Sequence, residues 1–133
     1  MTPILSNEIL SGIRTALAED IGTGDATSES ILPPEKRMQG CILAKQEGIV
    51  AGLDVAEAVY RQLDPQVDFQ ALVEEGSRAS PGGHLAHVSG RARSLLSAER
   101  TALNYLGRMS GIATLTRQFV EAVAGTKAVI LDT

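Results

Sequence analysis

The chain has 133 residues, 44% apolar and 21% charged, with a formal net charge of −4. This is globular rather than disordered composition, and the acidic balance excludes the basic surface that general nucleic-acid binding needs. One cysteine rules out an intrachain disulfide, and no run approaches the ~18 apolar residues of a membrane span, so the expected setting is the cytoplasm, away from membranes.

The N-terminal "MTPILSNEIL" lacks the basic start and long apolar core of a signal peptide. Residues 6–21 are expected to form a helix capped by Ser6, with Ile9, Ile13, Ala16, Leu17 and Ile21 at helical spacing. "GTGDATS" then breaks it, with Asp25 or Thr27 bonding the local backbone, and Pro33 and Pro34 make a second break. "QGCILAKQEGIVAGL" is expected to be strand, bend and strand, with Cys41 buried and inert in its apolar run. Asp54 and Glu57 have the spacing of a capping box for a helix whose apolar face is Val55, Ala58, Val59 and Leu63.

From Val67 the period changes to two through Phe69, Ala71 and Val73, which predicts a strand. "SPGG" is a turn, and residues 84–96 are expected to be a further strand, with Ser89, Arg91 and Arg93 alternating onto one solvated face. A helix follows, capped by Ser97 or one turn earlier by Ser94, with Ala98, Ala102, Tyr105, Leu106 and Met109 inward. Gly111 is an expected break, after which Ile112, Leu115, Phe119 and Val123 resume the spacing up to Gly125. "KAVILDT" has the apolar character of a parallel strand buried on both faces.

These elements predict an α+β domain over residues 1–110, with residues 111–133 a helix and first strand leading into a C-terminal domain. Arg100 is the residue that most needs explaining. In the first turn of its helix a cation opposes the macrodipole, at a cost of up to ~1 kcal/mol when exposed, unless an anion meets it. Arg100, Asn104 and Arg108, spaced i, i+4, i+8, line one helix face. That face is either a solvated stripe or the wall of a cleft in which an arginine fork holds a carboxylate or phosphate.

Other motifs carry less. His84 and His87 form H-x-x-H, but in a strand the two rings point to opposite faces, and no Cys, Asp or Glu cluster adjoins them to complete a zinc site. No metal ligand is assigned. "EDIGTGD" follows a helix, not the strand of a dinucleotide fingerprint, and lacks the ligand spacing of a calcium loop. "EEGSRASPGGHLAHVSG" has the rhythm of a biotinyl or lipoyl carrier sandwich, but Lys45 in "AKQEG" lacks the small motif that a ligase would read.

"EDIGTGDAT", "EGIVAGL", "SAERTALNYLGRMSGIATLT" and "AGTKAVILDT", in this order, resemble the N-terminal part of the quinolinate phosphoribosyltransferases, the decarboxylating nicotinate-nucleotide pyrophosphorylases. The likeness spans about Leu5 to Thr133 and is most specific over residues 97–116. It implies an α/β-hammerhead-like N-terminal domain, with "AVILDT" the first strand of a C-terminal α/β barrel missing from this chain. The implied reaction joins quinolinate to phosphoribosyl pyrophosphate with Mg2+, yielding nicotinate mononucleotide, pyrophosphate and CO2. The implied assembly is a homodimer or higher homo-oligomer, in which the arginine of "ERTALN", here Arg100, reaches quinolinate in the neighbouring subunit. Thr133 falls beside the substrate pocket. The family's remaining catalytic and metal contacts come from its barrel and have no counterpart in this sequence. The chain alone is therefore expected to be inactive and to bind no cofactor. The alternatives are a related phosphoribosyltransferase with another substrate, or a non-catalytic binding or dimerisation module.

Overall fold

A computed structural model describes residues 5–22 and 31–133. The "GTGDATS" turn beyond Gly22, with Asp25 and Thr27, lies outside the described residues. Helix α1 spans Asn7–Ile21, and Ser6 caps it as expected, its hydroxyl accepting from the Ile9 N–H at 3.3 Å. Strands β1 (Arg37–Leu43) and β2 (Gly48–Ile49) flank the expected bend. Helix α2 (Leu53–Leu63), strands β3 (Asp68–Ala71), β4 (Arg78–Ala79) and β5 (His84–Arg91), and helix α3 (Ala92–Ala122) complete the order.

The strands form an antiparallel sheet in the order β1-β5-β3 and a separate two-stranded β2-β4 ladder. One core joins the helices to the sheet's inner face. Ile13 of α1, Val59 of α2, Val67, and Ala86 of β5 are almost wholly buried, together with Ala98 and Ala102 of α3. The small alanines let α3 approach closely, and the Tyr60 and Phe69 rings meet at 6.1 Å between α2 and β3. Tyr60 pays for this burial in acidity (desolvation first and the Glu99 charge second push its phenol up to about 12).

Several expectations change. β5 ends at Arg91 and α3 begins at Ala92, so the strand expected over 84–96 is too long. The reason is periodic: Ala92, Leu95, Ala98, Ala102 and Leu106 are buried at helical spacing. Ser94 and Ser97 therefore lie inside the helix, and Arg91 and Arg93 share no strand face. Arg91 donates to Gln66 Oε1, whereas Arg93 donates to the Leu32 carbonyl at 2.6 Å. Ser94 instead donates to Asp64 Oδ2 at 2.8 Å, tying the end of α2 to the start of α3.

α3 also runs unbroken through Gly107 and Gly111 for 31 residues. Its hydroxyls explain the neighbouring "GIVAG". Thr114 Oγ1 accepts from the Ile49 N–H at 2.9 Å, and Ser110 Oγ accepts from the Ala51 N–H at 3.0 Å and donates to the Ala51 carbonyl. The helix thus supplies backbone partners to a segment whose own ladder is two residues long. Gly52, at φ +99°, lies so close to α3 that an added Cβ would sit 2.8 Å from Met109 Sδ. At the C-terminal end, "KAVILDT" is unpaired, with Val129 and Leu131 strongly exposed. The expected strand does not form here because a strand needs a ladder partner.

The capping box at Asp54 and Glu57 does not form. Asp54 accepts from its neighbour Val55, and Glu57 pairs with Arg61 at 2.7 Å. The α2 N-terminus is capped from a distance by Glu75, whose carboxylate accepts from the backbone N–H groups of Gly52, Leu53 and Asp54. An anion there satisfies orphan donors and meets the positive end of the dipole.

Candidate functional site

The expected stripe on α3 is exposed throughout, and two of its three members, Asn104 and Arg108, line an open cleft. Asn104, Tyr105 and Arg108, with Thr101 at its floor, oppose Ala16, Glu19 and Asp20 of α1 across a space of ≈ 400 Å³. Arg100 is not among the lining residues and meets the cleft only through Asp20. Its Nη1 contacts Asp20 Oδ1 at 3.3 Å, with the arginine side chain 77% and the aspartate 23% exposed. A single contact on so exposed a guanidinium is worth ~0–1 kcal/mol and exchanges readily for another carboxylate.

The electrostatic reason for singling out Arg100 changes with the helix boundary. Starting at Ala92, α3 places Arg100 in its third turn, where the macrodipole has faded. The anion that meets it within the chain is Asp20, contributed by α1, and no spacing in the sequence pairs residues 80 positions apart. Thr133 is exposed at the end of the unpaired segment and is not among the residues lining the cleft.

A second, larger space of ≈ 570 Å³ lies between the β1–β2 connection and α3. Leu43, Ile49, Leu103, Leu106 and Leu115 make it predominantly apolar, so it offers no pair of guanidinium forks for a dicarboxylate.

The H-x-x-H motif is corrected outright. β5 slips its register against β1 so that Ile42 faces Ala86 but Leu43 faces His84, leaving Leu85 as a bulge. Two consecutive residues, Leu85 and Ala86, then point inward. The bulge cancels the alternation, and His84 and His87 emerge on the same outer face with ring centroids 6.0 Å apart. Cys41, opposite His87 on β1, is exposed beside them rather than buried, because it is the alternate residues of its apolar run, Ile42 and Ala44, that turn inward. The ligand atoms of Cys41, His84 and His87 all lie within 4.8 Å of one another. This is a soft donor set, unlike the oxygen-only shell of Mg2+, and among the described residues it is the one such cluster.

Among the described residues no helix is long and apolar enough to cross a membrane. Residues 25–110 match the family model described as quinolinate phosphoribosyl transferase, N-terminal domain. The chain is 42% identical over 117 residues, 88% of its length, to a probable nicotinate-nucleotide pyrophosphorylase [carboxylating] of Synechocystis, and covers 39% of that relative. It is 43% identical to the nicotinate-nucleotide pyrophosphorylase [carboxylating] of Mycobacterium leprae over 91% of its own length and 44% of the relative's. The solved nicotinate-nucleotide pyrophosphorylase of Francisella tularensis superposes on all of the chain, with a TM-score of 0.89 and 31% identity, over 48% of the solved chain. The chain thus spans less than half the length of these relatives.

Proposed function

The chain belongs to the quinolinate phosphoribosyl transferase family, as its N-terminal domain, and on that premise we propose that it serves an enzyme making nicotinate mononucleotide, CO2 and pyrophosphate from quinolinate and phosphoribosyl pyrophosphate. The role assigned to this domain is to present Arg100 to the pyridine dicarboxylate of a neighbouring subunit in a homodimer or higher homo-oligomer. The observation that carries this reading is the exposed Arg100 guanidinium, projecting from the third turn of the 31-residue helix α3 and held by one replaceable carboxylate contact. A rigid helix positions a planar fork well, and a planar dicarboxylate suits bidentate donors.

The remaining parts of the reaction fall outside this chain's donors. Mg2+ enters as the complex with phosphoribosyl pyrophosphate, and the Cys–His–His cluster does not match it. Thr133 leads, on this reading, from residues 111–133 into a barrel whose side chains hold the phosphates. Decarboxylation requires charge to be stabilised as it moves into the ring, and the Arg100 cation supports that by holding the carboxylates in place. The cytoplasm is the proposed compartment.

The test is quinolinate turnover by the full-length gene product and its Arg100→Ala variant. Loss of turnover with little loss of stability supports the ligand role. An unchanged rate would make Arg100 a surface residue and favour the dimerisation-module alternative. The 133-residue chain by itself is expected to show no turnover.

A further inference from the structure

We propose that the outer face of the sheet carries a zinc site, formed by Cys41 Sγ and one ring nitrogen each of His84 and His87, with a fourth position open to solvent. It is separate from the α1–α3 cleft and independent of the transferase reading.

Three observations support it. The first is the donor set: one thiol and two imidazoles suit a borderline-soft divalent ion such as Zn2+. The second is placement. Cys41 and His87 are directly opposed on adjacent strands, and the bulge at Leu85 turns His84 onto the same face. Without that bulge the strand's alternation would send His84 inward, so the irregularity itself assembles the cluster. The third is distance. The ligand atoms lie within 4.8 Å of one another, whereas tetrahedral zinc with sulfur at ~2.3 Å and nitrogen at ~2.0 Å needs about 3.3–3.6 Å between ligands. All three side chains are exposed, so the adjustment that binding requires falls on their χ angles.

Three protein ligands leave one position for water or a small anion. A space of ≈ 220 Å³, lined by Gln39, Asp68, Gln70 and Ser89, opens beside His87 on this sheet. Gln70 is the residue opposite His87 on β3, so the row Cys41–His87–Gln70 crosses all three strands. Bound metal would therefore clasp β1 to β5 at the bulge, where the ladder is irregular.

The experiment is titration of the purified, reduced chain with Co2+ as a spectroscopic substitute for Zn2+. The expected result is one cobalt per chain, a thiolate-to-cobalt charge-transfer band, displacement by Zn2+ and no displacement by excess Mg2+. Cys41→Ser is expected to abolish the band. His84→Gln and His87→Gln are each expected to weaken binding at least tenfold, since even outer-shell partners of a metal act on a scale of ~10–100-fold. All three side chains are exposed, so the variants should keep the far-ultraviolet circular dichroism of the parent. The proposal is overturned by an absent band, by a band that persists in the His84→Gln/His87→Gln double variant, or by one cobalt per two chains, which would mean thiolates from separate copies.

Discussion

Asp20 and Arg100, 80 residues apart in sequence, join α1 to α3 through a 3.3 Å ion pair at the edge of the candidate cleft. Asp20 occupies the guanidinium that the proposed function assigns to quinolinate, so on that proposal it would compete with the substrate's carboxylates. Asp20→Asn in the full-length protein is expected to lower the quinolinate KM by about fivefold at most, because an exposed pair is worth ~1 kcal/mol or less. Stability should change by less than ~0.5 kcal/mol. Steady-state kinetics alongside urea unfolding checks both, and a raised KM would show that Asp20 positions Arg100 instead of competing for it.

Glu75 caps α2 through three backbone N–H groups. Glu75→Ala leaves those donors to water and is expected to lower unfolding stability by ~0.5–2 kcal/mol, the range for lost helix caps. Glu75→Gln keeps one acceptor oxygen but no charge, and should fall between parent and alanine variant. Asp54→Ala, by contrast, should cost less, since its side chain accepts only from the adjacent Val55 N–H.

The Asp64 carboxyl is held below the ordinary carboxylate range. The Gln66 N–H contributes most, then the Ser94 hydroxyl, with Arg91 and Arg37 adding to them against the opposing effect of burial. A depressed folded-state pKa contributes stability that is complete above the unfolded value of ~3.9 and is lost as pH falls through the folded value. Asp64→Asn should therefore be less stable than the parent near neutrality, with the difference shrinking as pH falls below ~4. Urea midpoints measured across that range test it; a gap independent of pH would remove the carboxylate's charge from the explanation.

Tyr60 behaves in the opposite sense. Its pKa is raised to about 12, by burial first and by Glu99 second. Its stability contribution is fully present below the unfolded value of ~10 and is lost as pH rises through the folded one. In a Tyr105→Phe background, which leaves Tyr60 as the single tyrosine, phenolate absorbance should appear well above pH ~10 and coincide with alkaline unfolding. Ionisation near pH 10 without unfolding would show that the ring is not sealed by α2 and β3.

What could be read from the sequence was local and periodic. Ser6 and the spacing through Ile13 and Leu17 determine α1, and the two apolar runs around the β1–β2 bend determine a pair of strands. Four segments in order carried the family resemblance, residues 97–116 most specifically, and it named quinolinate as the anion for an Arg100 already singled out by its place on a helix face. What only the tertiary structure decided were relations across long separations. Asp20 reaches Arg100, Glu75 replaces Asp54 as the cap of α2, and Ser94 bonds Asp64 instead of opening a helix. The same holds for Cys41, His84 and His87. Alternation along an ideal strand separates the two histidines, and a one-residue bulge at Leu85, set by pairing with β1, brings them together. The physical reason is that side-chain period follows from each strand's own backbone, whereas register, capping partners and sheet face follow from which distant segments pack against it.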